Sequence, residues 1–189
     1  MNAGKTTACT GLIRGFAGIG LKVGAAKVTG TGSGNDCWAL KDAGAAPVFD
    51  FTDAGHATTF GLSPAEVEAV FSCLASHLVA AGAEIMVIEI ADGLLQKETA
   101  ELVSSRFFAA NVDSVVFAAN SAMSAKAGAE CLSDWGLSVA AVSGVVTLSP
   151  LASREAAAAT GLPVLTLEEL SAGQWCADLL AAPARAATA

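Results

Sequence analysis

The run Met1-Asn2-Ala3-Gly4-Lys5-Thr6-Thr7 carries the Gly-Lys-Thr end of the G-x-x-x-x-G-K-[ST] pattern, whose first glycine would fall before Met1. In that pattern backbone N–H groups at a helix N-terminus surround phosphates, the lysine ammonium reaches the outer phosphates, and the next hydroxyl holds Mg²⁺. Lys5 and Thr6 have the residue types for those two roles, and Asn2, Ala3, Gly4, Lys5, Thr6 and Thr7 together make the candidate nucleotide-binding segment. The plainer reading is a helix that merely begins Gly-Lys-Thr-Thr, so the half motif needs support from elsewhere.

Two other segments supply it. Val23 to Asp36 reads as a strand that delivers Lys27 into a glycine-rich loop closed by an acid. Ligands of parallel α/β sheets gather at the carboxyl ends of strands, where the Lys27 ammonium could steady a substrate carboxylate or a transferring phosphoryl group. Asp36 could bind Mg²⁺ directly or through water, or could simply cap the following helix. Glu84 to Gly93 is an apolar strand finished by Glu89 and Asp92. Glu89 follows four apolar residues, so it is expected to be buried, at a cost that a metal or a hydrogen bond must offset. Asp92 precedes a glycine and equally fits an ordinary turn. His56 reads as a solvated loop residue and His77 as a partly buried packing residue. Trp38, Trp135 and Trp175 read as core or edge packing.

Short apolar runs alternate with longer amphipathic stretches, the pattern of parallel strands joined by helices. Strands are expected at 22–28, 47–51, 84–90, 114–119, 138–143 and 163–166. Helices are expected at 5–17, 36–43, 64–81, 97–109, 122–135, 150–160 and 167–180. Ser63-Pro64 and Ser149-Pro150 place a serine at the N-cap and a proline at the first helical position. A phosphate loop normally follows a central strand, and nothing in the chain supplies one. That strand is expected upstream of Met1, the alternatives being a fragment or another segment in its place.

The length of 189 residues suits one α/β domain, expected over 1–181, with an alanine-rich tail over 182–189 expected to fray. There is no uninterrupted stretch of about 20 strongly apolar residues, as a membrane span requires. No signal-like start is present, and the five cysteines are scattered without a C-x-x-C pair, so a cytoplasmic location with reduced thiols is expected. A net charge of −8 argues against a nucleic-acid partner, which needs concentrated lysine and arginine. Small-molecule chemistry remains.

Taken in order, these segments resemble the dethiobiotin synthetase-like branch of P-loop NTPases, which includes cobyrinic acid amide synthases and the molybdopterin-guanine dinucleotide biosynthesis protein B. Gly4-Lys5-Thr6-Thr7 resembles the branch's phosphate loop, Val23 to Lys27 its second strand with a lysine, and Glu89 its strand-end glutamate. Asp36 falls where these proteins place an acidic Mg²⁺ ligand, and Asp42-Ala43-Gly44-Ala45 is most similar to the molybdenum-cofactor protein. The resemblance implies a mostly parallel α/β sheet with helices on both faces, a three-layer P-loop sandwich. It implies Lys5 and Lys27 as catalytic residues, Thr6, Asp36 and Glu89 as ligands of Mg²⁺, and ATP as the nucleotide. The implied activity is ATP-dependent activation of a substrate carboxylate in small-molecule or cofactor metabolism. The alternative is a nucleotide-operated accessory protein acting on a partner enzyme, and a homodimer is also compatible. Two departures bear on the base. Ser143-Gly144 stands where the synthetases commonly read adenine with an asparagine, and no Asn-Lys-x-Asp element supports GTP.

Overall fold

The computed structural model describes residues 2–32 and 34–182. The strands are β1 (Val23–Lys27), β2 (Val48–Asp50), β3 (Ile85–Glu89), β4 (Val115–Ala118) and β5 (Val139–Ser143). The helices are α1 (Lys5–Gly18), α2 (Gly34–Asp42), α3 (Pro64–Ala80), α4 (Lys97–Val103), α5 (Arg106–Asn111), α6 (Ala122–Asp134), α7 (Pro150–Thr160), α8 (Leu167–Ser171) and α9 (Gln174–Ala181). A short 3-10 turn at Val145–Leu148 follows β5.

All strand pairs are parallel: β2, β1 and β3 form one sheet in that order, and β4 and β5 form a second. β1 is central and every one of its residues is buried, which is why it reads Val-Gly-Ala-Ala-Lys with small residues where helices press from both sides. A Cβ on Gly24 would meet Leu78 and Ala83 at 2.9 Å. Strand parity sorts the core into two layers. Ala25 and Val87 pack with Cys9, Ile13 and Phe16 of α1 and Leu40 of α2, while Ala26 and Ile88 pack with Val67, Phe71, Leu74 and Leu78 of α3. Each large side chain buried this way stabilises the fold by roughly 1.5–3 kcal/mol. The result is helix, sheet, helix, as the alternating pattern predicts.

β3 and β4 are each hydrogen-bonded on one side only, and α1 lies against both. Their side chains also contribute to one shared core, where Ile88 meets the same cluster as Val115 and Phe117. The two sheets are therefore flanked by the same helices, with no described segment pairing the facing edges. The sequence pattern leads to the same place: the strand that should precede the phosphate loop has no counterpart among the described residues.

Four expectations change. Residues 163–166 make only an isolated bridge, Val142 to Val164, because the ladder is too short to be a strand. The helix expected over 97–109 is two helices, broken where the Ser105 side chain accepts from the Phe108 amide and starts a new N-terminus. The helix expected over 167–180 is interrupted at Gly173, whose φ of 79° ends α8 and starts α9. These turns fold α8 and α9 tightly onto α1. A Cβ on Gly15 would lie 2.2 Å from the Leu170 carbonyl oxygen and 2.7 Å from Cys176 Sγ, so the contact admits only glycine there. His77 is exposed rather than partly buried, with its ring 5.6 Å from that of Phe49. Trp38 is 64% exposed, and Trp135 and Trp175 are half-buried at the margins of the core. The tail expected over 182–189 lies, beyond Ala182, outside the described residues.

Candidate functional site

Register and parity build the site. Lys27 pairs in register with Asp50 on β2 and with Glu89 on β3, at the carboxyl ends of the three strands. In-register residues of a parallel sheet project to the same face. Lys27 shares its face with Ala25, Glu89 with Val87 and Asp50 with Val48, and all three partners pack against α1 or α2. An acid, a base and an acid thus stand in a row beneath the starts of these two helices.

α1 meets this row with its N-terminus. Gly4 precedes it with φ 85° and provides no side-chain cap, so the first amides of α1 keep their donors free for an anion. Lys5 and Thr6 occupy its first turn. The Thr6 hydroxyl donates to Glu89 Oε1 at 3.0 Å and approaches Asp36 Oδ1 at 3.4 Å. It has one proton to give, so the shorter contact is the hydrogen bond. Asp36 also forms an ion pair with Lys27. α2 begins at Gly34, so Asp36 sits in the first helical turn rather than on the glycine loop expected of it. The structure accordingly gathers Thr6, Lys27, Asp36 and Glu89 in one place, with Lys5 beside Thr6 in the first turn of α1.

The electrostatics follow from burial. Glu89 is 4% exposed, and burial raises its pKa above the usual carboxylate range, although the Thr6 hydrogen bond and the charge of Lys27 pull the other way. Its Oε2 atom is buried without a hydrogen-bond partner. Such an orphaned carboxylate oxygen costs about 1–3 kcal/mol or more. For Lys27, burial works against the charge, but the Asp36 hydrogen bond and the Glu89 carboxylate outweigh it and hold the ammonium above its ordinary value. Asp50 is likewise opposed by burial, yet hydrogen bonds from Thr52 and Cys37 keep it below the usual range. Cys37 donates to Asp50 Oδ2 at 3.1 Å, and burial together with that bond pushes its thiol up to about 12. A thiol so placed is not a nucleophile.

The donor set has the chemistry of a Mg²⁺ site: one hydroxyl and two carboxylates, all hard oxygens. Among the described residues no group of three or more His, Cys, Asp or Glu is placed to hold a metal by itself. The orphaned Glu89 oxygen beside Thr6 is what a cation there would satisfy.

Two residues escaped the sequence reading. Asp50 ends its strand as Glu89 does, and the same strand-end logic would have found it. Gly144 gave no such signal. The Val145 amide donates to the Ala3 carbonyl at 2.9 Å, and Gly144, at φ 93°, lies so close beneath that a Cβ would stand 2.1 Å from Ala3 O. The segment after β5 is therefore a floor for the loop that leads into α1. Asp92 joins neither group of acids, and its backbone has φ 66°.

No family model and no curated protein matches the chain. Among solved structures it is similar to the signal recognition particle 54 kDa protein from Aeropyrum pernix K1 in complex with GDP, with a TM-score of 0.56 and 21% identity. The likeness covers 94% of this chain and 43% of that one, so this chain spans less than half the length of the protein it matches. The match shows that the chain shares the α/β fold of that protein, parallel strands flanked by helices. It does not reach the dethiobiotin synthetase-like branch. Among the described residues, no helix is long and apolar enough to cross a membrane.

Proposed function

We propose that this protein binds a nucleoside triphosphate with Mg²⁺ and hydrolyses or transfers its terminal phosphoryl group in small-molecule or cofactor metabolism. The observation that carries the reading is Glu89: a buried carboxylate with one oxygen unpartnered and the other bonded to Thr6, at the head of a helix whose first amides are uncapped. Asn2, Ala3, Gly4, Lys5, Thr6 and Thr7 would receive the phosphates, and Thr6, Asp36 and Glu89 would hold the metal. Mg²⁺, when bound, supplies charge neutralisation at the phosphate oxygens. Lys5 and Lys27 would offset negative charge that gathers on the transferring group.

Within that reading we place a carboxylate acceptor of the dethiobiotin synthetase-like kind. Oxygen of the carboxylate attacks the terminal phosphorus, the nucleoside diphosphate leaves, and a nucleophile within the substrate then displaces phosphate from the acyl phosphate. ATP is the nucleotide that the resemblance implies, although Ser143-Gly144 stands where an asparagine would read adenine and no Asn-Lys-x-Asp element would read guanine. GTP is the alternative, since the similar solved protein was captured with GDP.

Equilibrium titration with Mg·ATP and Mg·GTP tests both points. Lys5→Ala should weaken triphosphate binding by about 1.5–3 kcal/mol, the scale of a lost charge-assisted hydrogen bond. Unchanged affinity in that variant would remove the phosphate-loop assignment.

A further inference from the structure

A cavity of about 300 Å³ opens beside the site, with Gly30 in its lining. The two are close neighbours, since a Cβ on Gly30 would stand 3.1 Å from Lys27 Cε. One wall is a pair of chain segments bound to each other. Thr31 and Thr58 form an antiparallel bridge, the Thr59 amide donates to Gly30 O at 2.9 Å, and the Gly30 amide donates to Thr59 Oγ1 at 2.9 Å. The opposite wall is the turn after β3, with Asp92, Gly93 and Gln96.

That turn is held from both sides. The Ala91 amide donates to Thr29 Oγ1 at 2.8 Å, and the Ala91 carbonyl accepts from Thr29 and from Thr99, at 3.1 and 2.9 Å. These bonds fix the residue before Asp92, which stands at φ 66° in the left-handed region that few residues with a side chain adopt. Gln96 is half engaged: its amide nitrogen donates one N–H to Glu98 and its oxygen accepts from the Thr99 amide, which leaves one N–H and one lone pair. Glu98 in turn accepts from the Gly61 amide.

The groups left for a ligand are few. They are the Asp92 carboxylate, which makes no hydrogen bond or ion pair among the described residues, one N–H of Gln96, the hydroxyls of Thr31 and Thr58, and the ring of Phe60, which is 79% exposed. Asp92 is the one charged residue that lines the cavity, and no lysine or arginine accompanies it. A carboxylate, hydroxyl oxygens and an open aromatic face make a site for a cation rather than an anion.

We propose that this cavity binds a small ammonium-bearing molecule, with its ammonium on Asp92 and its carbon skeleton against Phe60. Binding of the ammonium stands by itself. Its part as a substrate rests on the nucleotide function proposed above.

The test is calorimetric titration of the full chain with ethanolamine and 1,4-diaminobutane, against ethylene glycol and glutarate, each with and without Mg·ATP. The amines should bind saturably and the glycol and the dianion should not. Asp92→Asn should weaken amine binding at least about tenfold, the loss of one charge-assisted hydrogen bond, and leave ATP affinity as it was. Asparagine tolerates positive φ, so this variant keeps the turn. Phe60→Ala should weaken amine binding several-fold. Saturable amine binding that survives Asp92→Asn, glutarate binding tighter than either amine, or no saturation by either amine would each overturn the assignment. Failure of ATP to bind wild type would remove the nucleotide function while leaving the amine result readable.

Discussion

The Thr6 hydroxyl donates to Glu89 Oε1 at 3.0 Å across 83 positions of sequence, tying the first turn of α1 to the end of β3. Only one oxygen of the carboxylate is engaged, and the other faces no donor. A folded chain retains such an arrangement at a cost, so the two acids of the site should differ in what they do for folding and for metal.

Glu89→Gln keeps the acceptor for Thr6 and removes a buried charge, whereas Asp36→Asn breaks the ion pair with Lys27. Both variants should raise the Mg²⁺ concentration needed for half-maximal NTP hydrolysis, since a hard cation needs charged oxygens. The larger rise is expected for Glu89→Gln. Its metal-free thermal midpoint should match or exceed that of wild type, while Asp36→Asn should lose a little. Wild-type Mg²⁺ dependence in both variants would make the carboxylates structural.

The pH dependence of stability carries the same information with a definite sign. Burial places the folded pKa of Glu89 above its unfolded value near 4.5. Ionised Glu89 therefore weighs against the fold at neutral pH, and its contribution recovers as pH falls through the folded pKa, reaching completion below the unfolded one. Lys5, Lys27 and Asp36 are the charged groups around it. In metal-free protein, Glu89→Gln should outmelt wild type at pH 8, and the gap should narrow as pH falls and close below pH 4.5. Saturating Mg²⁺ at pH 8 should close it too. A gap that stays constant from pH 8 to below pH 4.5 would contradict the burial argument.

Gly144 supports the loop by proximity alone. A Cβ there would collide with Ala3 O at 2.1 Å and stand 3.1 Å from Ala119 O, and the backbone already lies at φ 93°. Gly144→Ala should cost about 1–3 kcal/mol of stability and weaken nucleotide binding, because Ala3 and Gly4 must move. Gly136→Ala is the control: φ is 81° but nothing lies within 4 Å, so stability falls without loss of affinity. Equal nucleotide affinity in the two variants would show that the floor beneath the loop is dispensable.

The legible parts of this fold were those that rest on periodicity and on capping. All five strands that formed were visible as apolar runs, and Ser63 and Ser149 cap α3 and α7 as their types predict. The candidate site was legible for a different reason: Lys27 and Glu89 each end an apolar strand with a charge, and the structure brings the two side by side in register. What escaped depends on tertiary contact. Nothing local distinguishes Gly144 from a loop glycine, since its reason is the Ala3 carbonyl far away in sequence. Asp50 lay in a short strand whose register with Lys27 emerges only from pairing. The breaks at Ser105 and Gly173 reflect α8 and α9 folding back on α1 and α5 turning towards Phe71, packing choices that helical periodicity does not encode.

The facing edges of β3 and β4 give the last prediction. Each strand is paired on one side, yet both lie on α1 and share a core, and Met86 and all of β4 retain partial exposure. Unpaired main-chain groups at such edges seek partners, and parallel sheets of this kind are normally covered throughout. The chain enters α1 at Ala3 and Gly4, beside the carboxyl end of β5, so a strand leading into Asn2 would run between the two edges in the parallel sense. Joining an apolar segment of about five residues, such as Val-Ile-Val-Val-Gly, ahead of Asn2 should therefore unite the sheets. The ladder bonds gained on both sides should raise the thermal midpoint by several degrees, at roughly 2–4 °C per kcal/mol for a domain of this size. Amide exchange should slow along both β3 and β4, which separates strand insertion from a general effect of added apolar residues. A scrambled polar segment of the same length should do neither. An unchanged midpoint with unchanged exchange at β3 and β4 would mean that the space between the sheets is not shaped for a strand.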